Sequence, residues 1–195
     1  MRLQRAFFAR DTLRVARDLL GCRLVRILDG QRVSGRIVET EAYRGEEDEA
    51  SHASPGLTRR NASMFGPPGH AYVYLIYGIH HCLNLVTEAE GFPAAVLIRA
   101  LEPTEGLGAM RRRRGGRDDE ELTAGPGRLS EALAIDLRFD GADLCSPEAV
   151  LFVEAGDLTL DQEVATGPRV NVRGDAVAVS APWRFYVRDN RYVSG

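Results

Sequence analysis

The sequence is most constrained by two apolar, strand-like segments that carry charges where a plain core would have only aliphatic residues. The first, residues 37–43, reads IVETEAY, and the second, residues 94–101, reads AAVLIRAL. A polar amide, Asn84, likewise lies inside the apolar run CLNLV. Burying such groups is costly unless they pair with each other or with a ligand. The pattern therefore indicates a functional pocket.

One face of the first strand collects, by period-two alternation, Ile37, Glu39, Glu41 and Tyr43. Two acids and a tyrosine on one face suit a reactive site, although a solvated strand face would show the same pattern. Arg99 favours the site, because its aliphatic neighbours indicate burial and a buried guanidinium needs a carboxylate. We expect Glu41 or Glu39 to be that partner; the alternative is a strand-end arginine that reaches solvent.

The fold class follows from the order of the elements. The 195 residues fit one domain, residues 1–195. Periodicity and turn signals predict a helix capped by Asp11, strands at 24–27 and 33–43, a hairpin of 72–77 and 80–86, a strand at 94–101, a helix from Pro103, a flexible loop at 111–121, a helix from Gly125-Pro126, and strands at 150–154, 169–172 and 183–187. Without a repeat or a βαβ rhythm, this order predicts a single α+β domain around a mostly antiparallel sheet.

The hairpin and the strand after it supply further candidates. Tyr72 and Tyr74 alternate along the first arm, and such a stripe is more often core than a binding surface. Tyr77, at the tip beside Gly78, would be an exposed apolar wedge, which a core does not need. The Asn84 amide either reads a ligand or satisfies a neighbouring backbone group, and both readings stay open.

Composition argues against several classes of protein. No apolar run reaches the ~18 residues of a membrane span, and the start MRLQRAFFAR has no signal-peptide core. Three scattered cysteines are too few for a disulfide framework, so we expect a reduced, cytoplasmic protein. The four histidines lack metal-ligand spacing, and neither a glycine-rich phosphate motif nor a nucleophile elbow occurs. We therefore expect neither a metal nor a cofactor.

The charges are unevenly distributed along the chain. The net charge of −3 argues mildly against a nucleic-acid partner. Residues 39–49, however, carry six carboxylates, whereas Arg99, 111–114 and Arg117 form a basic block. The run at 111–117 is either a phosphate-contacting loop or a solvated tether beside the acids at 118–121.

Long motifs in a fixed order resemble the alkyladenine (3-methyladenine) DNA glycosylase family of the N-methylpurine type. They read VETEAYRGEEDEASHA, TRRNASMF, PGHAYVYLIYGIHHCLNLV, VLIRALEPTEGL, LTAGPGRLSEALAI and PWRFYVRDNRYVS, and together they span nearly the whole chain. The resemblance implies a curved sheet with a protruding β-hairpin. It also implies a DNA-repair hydrolase that flips a damaged purine from duplex DNA and cleaves its N-glycosidic bond.

The same resemblance assigns the catalytic residues. Glu41 matches the general base that activates a water to attack C1′ of the deoxyribose. Arg99 matches the arginine that helps hold that water and the carboxylate. The backbone carbonyl of Val170 would complete the water site.

The remaining assignments concern the flipped base. Tyr43, His52 and Tyr74 match residues that sandwich and edge-contact the base, with His52 acting largely through its backbone N–H. Asn84 matches the residue that crowds the amino group of normal guanine. Tyr77 matches the wedge that fills the gap left in the base stack.

The basic residues bear on the type of chemistry. All 25 are arginine, and the chain has no lysine. Strand-cleaving glycosylases commonly use an amine to form a Schiff base. The sequence therefore predicts a monofunctional enzyme that leaves an abasic site.

The chain also departs from the family pattern at two places. Asn171 stands where the family usually has glycine, which would narrow the pocket floor and change the range of lesions. His80 and His81 replace bulkier residues in the hairpin, which would alter how the wedge seats.

Two other functions fit parts of the pattern. A binding module without turnover would keep the scaffold, but it gains nothing from a buried charged pair. A hydrolase of free nucleosides would keep Glu41 and would have no use for Tyr77. The favoured reading is a monomer that acts on double-stranded DNA containing alkylated or deaminated purines such as 3-methyladenine, hypoxanthine and ethenoadenine, with no membrane partner.

Overall fold

The computed structural model describes residues 1–156 and 163–194. These residues form eight strands: β1 Arg23–Leu28, β2 Gln31–Arg44, β3 Ala71–Ile76, β4 His80–Val86, β5 Ala94–Glu105, β6 Leu151–Glu154, β7 Val164–Gly167 and β8 Arg184–Val187. The five α-helices are α1 Arg5–Phe8, α2 Thr12–Asp18, α3 Leu107–Arg113, α4 Pro126–Ala132 and α5 Ala176–Ser180. The strand pairs between described residues are all antiparallel, and the α+β class is confirmed.

Strand β2 organises and curls the sheet. The strand order is β3-β4-β5-β2-β1-β6, with β8 joined to β2 and β7 joined to β8 off this path. One edge of β2 pairs with β5. The other edge pairs with β1 as far as Arg36 and with β8 from Glu39 to Glu41. Because two strands divide that edge, the sheet bends where Glu39 and Glu41 lie, and these residues are enclosed on both sides.

The pairing of β2 with β5 is irregular at the same place. Ile37 lies opposite Leu101 and Glu39 opposite Ala100, so Val38 has no partner of its own in the register. A second shift follows, because Thr40 pairs with Ile98 and the register skips Arg99. Such bulges bend strands and re-aim side chains, often beside a functional site.

Alternation along the β3–β5 strands divides the interior into two clusters. Val73 and Leu85 belong to the larger core, which also packs against α2, α3 and α4. Tyr72, Val86 and Ala95 point to the other side and form a smaller cluster. The smaller cluster supports the aromatic wall of the cavity described below.

Several local predictions are confirmed by the geometry. The Asp11 carboxylate caps α2 by accepting from the Arg14 backbone N–H at 3.0 Å. Asp29 and Gly30 both take positive φ in the β1–β2 turn, as a two-residue hairpin requires. Pro126 stands in the first turn of α4, where its missing N–H costs nothing.

Three local predictions are wrong. The expected helix from Pro103 does not form there, because β5 continues to Glu105 and α3 begins only after Gly106 turns the chain with φ +76. Pro103 lies opposite Gly35 at a register shift, where a missing N–H is tolerated. The expected strand at 169–172 is a turn, and the expected loop at 111–121 is helical as far as Arg113.

Candidate active site

The two acids of β2 form a closed ion network with two arginines. The Glu39 and Glu41 side chains have no exposed surface, so a solvated strand face is excluded. Arg99 lies between them, with Nη1 3.3 Å from Glu41 Oε1 and Nε 3.4 Å from Glu39 Oε1. Arg184 from β8 donates to Glu39 Oε1 at 2.6 Å. Two negative and two positive charges thus balance one another in the interior, as buried charges require.

Each oxygen of Glu41 has its own neutral donor as well. The Val170 backbone N–H donates to Oε1 at 2.6 Å, and the Tyr43 hydroxyl donates to Oε2 at 2.8 Å. Burial, and then the neighbouring Glu41 charge, holds the pKa of Tyr43 well above its usual value. Tyr43 therefore stays a neutral phenol near pH 7 and keeps its proton available to Glu41. The carboxylate is fixed in orientation by three separate parts of the chain.

The segment after β8 supports the network, a role that no sequence pattern predicted. The Ser194 backbone N–H donates to Glu39 Oε2 at 2.8 Å, and its hydroxyl accepts from Arg99 Nη2 at 3.2 Å. Its carbonyl accepts from Arg184 Nη2 at 3.2 Å. Ser194 and Arg184 thereby bind the Glu39 carboxylate, and Arg99 Nη1 contacts Glu41. Both residues lie in the motif PWRFYVRDNRYVS, whose role was not apparent from spacing.

A second buried ion pair holds Val170 in place. Arg169 makes a two-pronged contact with Asp48, from Nη1 to Oδ2 at 2.5 Å and from Nη2 to Oδ1 at 2.7 Å. The two side chains are 0% and 1% exposed. The same guanidinium donates to the carbonyls of Ala42 and Ala178 at 3.0 Å each, and it lies 4.6 Å from the Tyr43 ring centroid. In the sequence, Asp48 is one of six neighbouring carboxylates, and no local pattern marks it as the partner of Arg169.

A cavity of about 400 Å³ opens beside this network. Its lining includes seven of the predicted site residues, namely Tyr43, His52, Tyr74, Tyr77, Asn84, Arg99 and Val170. Glu41, the eighth, has no exposed surface and lies behind Tyr43, Arg99 and Val170. The volume falls in the range of small-molecule sites, roughly 300–1,000 Å³. The structure therefore gathers all eight residues at one site.

Aromatic rings form one wall of the cavity. The His52 and Tyr74 rings meet edge to face with centroids 4.5 Å apart, and Tyr72 lies 5.5 Å from Tyr74. His52 Nδ1 is 2.8 Å from the Tyr72 hydroxyl, so Tyr72 orients the imidazole. Burial, and then the positive charge of Arg60, lowers the pKa of His52, while burial raises the pKa of both tyrosines. The wall is uncharged near neutral pH.

The Asn84 amide satisfies neighbouring backbone groups, one of the two roles that the sequence left open. Its side-chain nitrogen donates to the Tyr72 carbonyl at 3.1 Å and to the Cys82 carbonyl at 3.4 Å. The residue is buried and still lines the cavity. Because these contacts fix the amide, Asn84 presents a rigid surface to a ligand.

The hairpin presents its tip to solvent beside the cavity mouth. Tyr77 is 82% exposed and Ile79 is 70% exposed, although both are large and apolar. Tyr77 and Gly78 take positive φ in the tip, so the strained backbone aims the ring outward. The second arm packs closely on α4, since a Cβ at Gly127 would lie 2.9 Å from the His80 side chain. The prediction of a protruding hairpin with an exposed tyrosine agrees with this geometry.

The arginine run at 111–117 is largely engaged by acids of the same surface. Its ion pairs join Arg111 to Asp119, Arg114 to Glu131 and Arg117 to Glu121. By contrast, Arg60, Arg128 and Arg173 are exposed around the cavity mouth. Arg173 lines the cavity, Arg128 follows the lining residue Gly127, and Arg60 lies 6.0 Å from the Tyr74 ring centroid. Three exposed arginines thus lie near the opening.

In residues 1–156 and 163–194 there is no group of three His, Cys, Asp or Glu side chains suited to hold a metal ion. Within the same ranges no helix combines the length and apolar character needed to cross a bilayer.

Comparison with known proteins places this sequence in one family. The sequence profile of the family described as Methylpurine-DNA glycosylase (MPG) matches residues 6–191. A protein of Carboxydothermus hydrogenoformans, provisionally named a 3-methyladenine DNA glycosylase, is 47% identical over 100% of this chain and 99% of its own length. Relatives with the same provisional name are 52% identical in Methanocella arvoryzae, covering 98% of this chain and 95% of the relative, and 53% identical in Anaeromyxobacter dehalogenans, covering 100% and 87%.

The chain belongs to the methylpurine-DNA glycosylase family. It is a DNA glycosylase, a DNA-repair hydrolase of N-glycosyl bonds, and its substrate is DNA. The resemblance stated from the sequence motifs is confirmed.

Proposed function

We propose that this enzyme is a monofunctional glycosylase that removes alkylated or deaminated purines from duplex DNA and leaves an abasic site. The carboxylate of Glu41 carries the proposal: it is held by Arg99, Tyr43 and Val170, which separate it from an aromatic cavity that they line. Lesions such as 3-methyladenine, hypoxanthine and ethenoadenine form the proposed substrate class. The provisional names of the relatives include the first of these.

The proposed reaction is a hydrolysis at C1′ of the deoxyribose. Glu41 accepts a proton from a water as the water oxygen bonds to C1′, and the C1′–N bond breaks with its electron pair leaving on the base. Arg99 and the Val170 carbonyl hold the water beside the carboxylate. A base that carries a positive charge from alkylation departs as a neutral molecule, whereas an uncharged base such as hypoxanthine departs as an anion that takes up a proton from solvent. No residue forms a covalent bond to the sugar in this scheme, which agrees with a chain that has no lysine.

The cavity walls provide the proposed base recognition. Tyr43, His52 and Tyr74 enclose the flipped base, and the His52 backbone N–H contacts its edge. The fixed amide of Asn84 crowds the exocyclic amino group of normal guanine. Tyr77 enters the base stack in place of the extruded nucleotide and recovers part of the lost stacking energy. Its exposure at a strained hairpin tip supports this role.

The charges around the opening support a duplex partner. Arg60, Arg128 and Arg173 are positioned to meet phosphates on either side of a flipped nucleotide. The 111–117 run is a weaker candidate for phosphate contact, since an arginine paired with an acid offers little net charge. We propose that one copy of the chain acts alone on the duplex and that the protein is cytoplasmic.

A single-turnover assay on duplex oligonucleotides tests this proposal. Duplexes with one hypoxanthine, ethenoadenine or methylated adenine are incubated with excess enzyme. Each reaction is then divided, and strand breaks are scored in one half directly and in the other half after alkali treatment. We expect strand breaks only after alkali, because base release leaves an intact abasic strand. Breaks before alkali would refute monofunctional chemistry. Release from the matching free nucleosides, without release from duplexes, would favour the nucleoside hydrolase instead.

A further inference from the structure

Asn171 has an unusual backbone for a residue other than glycine. Its φ is +55, in the left-handed region, within the turn that follows β7. Asparagine tolerates this region better than most residues, yet glycine adopts it without a Cβ to accommodate. Such outliers persist where the surrounding structure fixes them, and they concentrate at binding sites. Position 171 thus carries a side chain although its backbone conformation favours glycine.

The side chain of Asn171 stands at the cavity in a rigid frame. The residue is exposed and lines the cavity together with its neighbours Val170 and Val172. On one side, the Val170 N–H is fixed on Glu41 at 2.6 Å. One residue further, Arg169 is locked by Asp48 and by two backbone carbonyls. Two buried contacts therefore hold the backbone that carries Asn171, so the Cα of Asn171 has a fixed place at the cavity.

We propose that Asn171 is a specificity-determining residue that limits the size of the base accepted in the cavity. The inference rests on the proposed function and deepens it. The carboxamide takes up space in the cavity lining next to Val170, so a purine of normal outline fits while a purine with an additional fused ring is disfavoured. Changes of one small group in a fitted pocket alter selectivity by roughly 10–200-fold.

The test compares release of ethenoadenine, which has an additional ring, with release of hypoxanthine, which has none. Asn171→Gly keeps the left-handed turn and removes the carboxamide. We expect the ratio of single-turnover rates, ethenoadenine over hypoxanthine, to rise at least about tenfold. Asn171→Asp keeps the size and the tolerance of positive φ, so its ratio should stay near that of the wild type. Ala134→Gly is the matched backbone control, because Ala134 has φ +53 and follows α4 away from the cavity lining.

The outcomes separate this inference from the proposed function. An unchanged ratio in Asn171→Gly, with an active wild type, overturns the size-limiting role and leaves the glycosylase proposal standing. An equal rise in Asn171→Asp would show that hydrogen bonding, not size, sets the selectivity, and would also overturn it. If the wild type releases 3-methyladenine but neither of these two bases, the size-limiting role is overturned, because a purine of normal outline then does not fit either. If it releases none of the three, the proposed function itself fails. A rise confined to Asn171→Gly supports the inference.

Discussion

Replacing Asp48 by asparagine tests how the active-site carboxylate is held. Asp48 and Arg169 lie 121 positions apart in sequence and meet with two short contacts. Asparagine keeps the shape of the side chain and removes its charge. The guanidinium of Arg169 is then left buried without a counter-charge, and the Val170 N–H that it positions loses its fixed place on Glu41.

The expected magnitude follows from the burial of the pair. Both side chains are at most 1% exposed, and removing one partner of such a pair costs about 3–5 kcal/mol. In a chain of this length, each kcal/mol lowers Tm by roughly 2–4 °C, so the expected fall is about 6–20 °C. The exposed pair Arg111–Asp119 is the matched control. Asp119→Asn removes the same charge from a 36% exposed side chain and should cost at most about 1 kcal/mol.

Thermal and urea unfolding of the two variants provide the measurement. The double variant Asp48→Asn, Arg169→Met removes both charges, and we expect it to recover part of the lost stability, since a neutral pair needs no counter-charge. If Asp48→Asn unfolds like Asp119→Asn, the buried pair does not hold this part of the site, and the reasoning is refuted.

Three further predictions concern the wedge, the imidazole and the charged rim. Tyr77→Ala should slow base release from duplexes by roughly 5–150-fold, the equivalent of about 1–3 kcal/mol of stacking, while its unfolding free energy changes by at most about 0.5 kcal/mol; equal slowing on single-stranded lesions would contradict the wedge. The pKa of His52 is lowered below 6.5 in the fold, so its stabilising contribution is complete above pH 6.5 and is lost as pH falls through the folded value. Unfolding measured from pH 8 to 5 should therefore show a shallower loss in His52→Gln than in the wild type, and parallel curves would show that His52 does not titrate this way. When the logarithm of the duplex-binding constant is plotted against the logarithm of salt concentration, Arg60→Gln should reduce the magnitude of the slope by about 0.9. Arg111→Gln should leave that slope unchanged. The opposite result would show that the 111–117 run, not Arg60, contacts phosphate.

The sequence predicted those features that depend on residues close together in the chain. Alternation placed Glu39 and Glu41 on one face, and the cost of burying Arg99 predicted its carboxylate partners, which the structure confirms. The tip tyrosine followed from a short apolar hairpin with Gly78 beside it.

Other features depend on contacts that no local pattern reveals. The β5 strand runs past Pro103 because a register shift in β2 accommodates the missing N–H. Arg169 meets Asp48 only after the chain has folded, and Ser194 reaches Glu39 across 155 positions. Tyr72 was read as core, which it is, yet its hydroxyl also orients His52.

The most direct test of the central claim is base release by Glu41→Gln measured beside Glu39→Gln. Both variants remove one buried charge from the same ion network, yet only Glu41 contacts the cavity-lining Tyr43 and Val170. In single-turnover reactions on a hypoxanthine duplex, Glu41→Gln should lose release by about 10²–10⁴-fold, the usual contribution of a general base. Glu39→Gln should be less stable and still release the base. Release by Glu41→Gln at the wild-type rate, or equal loss in both variants, would contradict the assignment of Glu41 as the base.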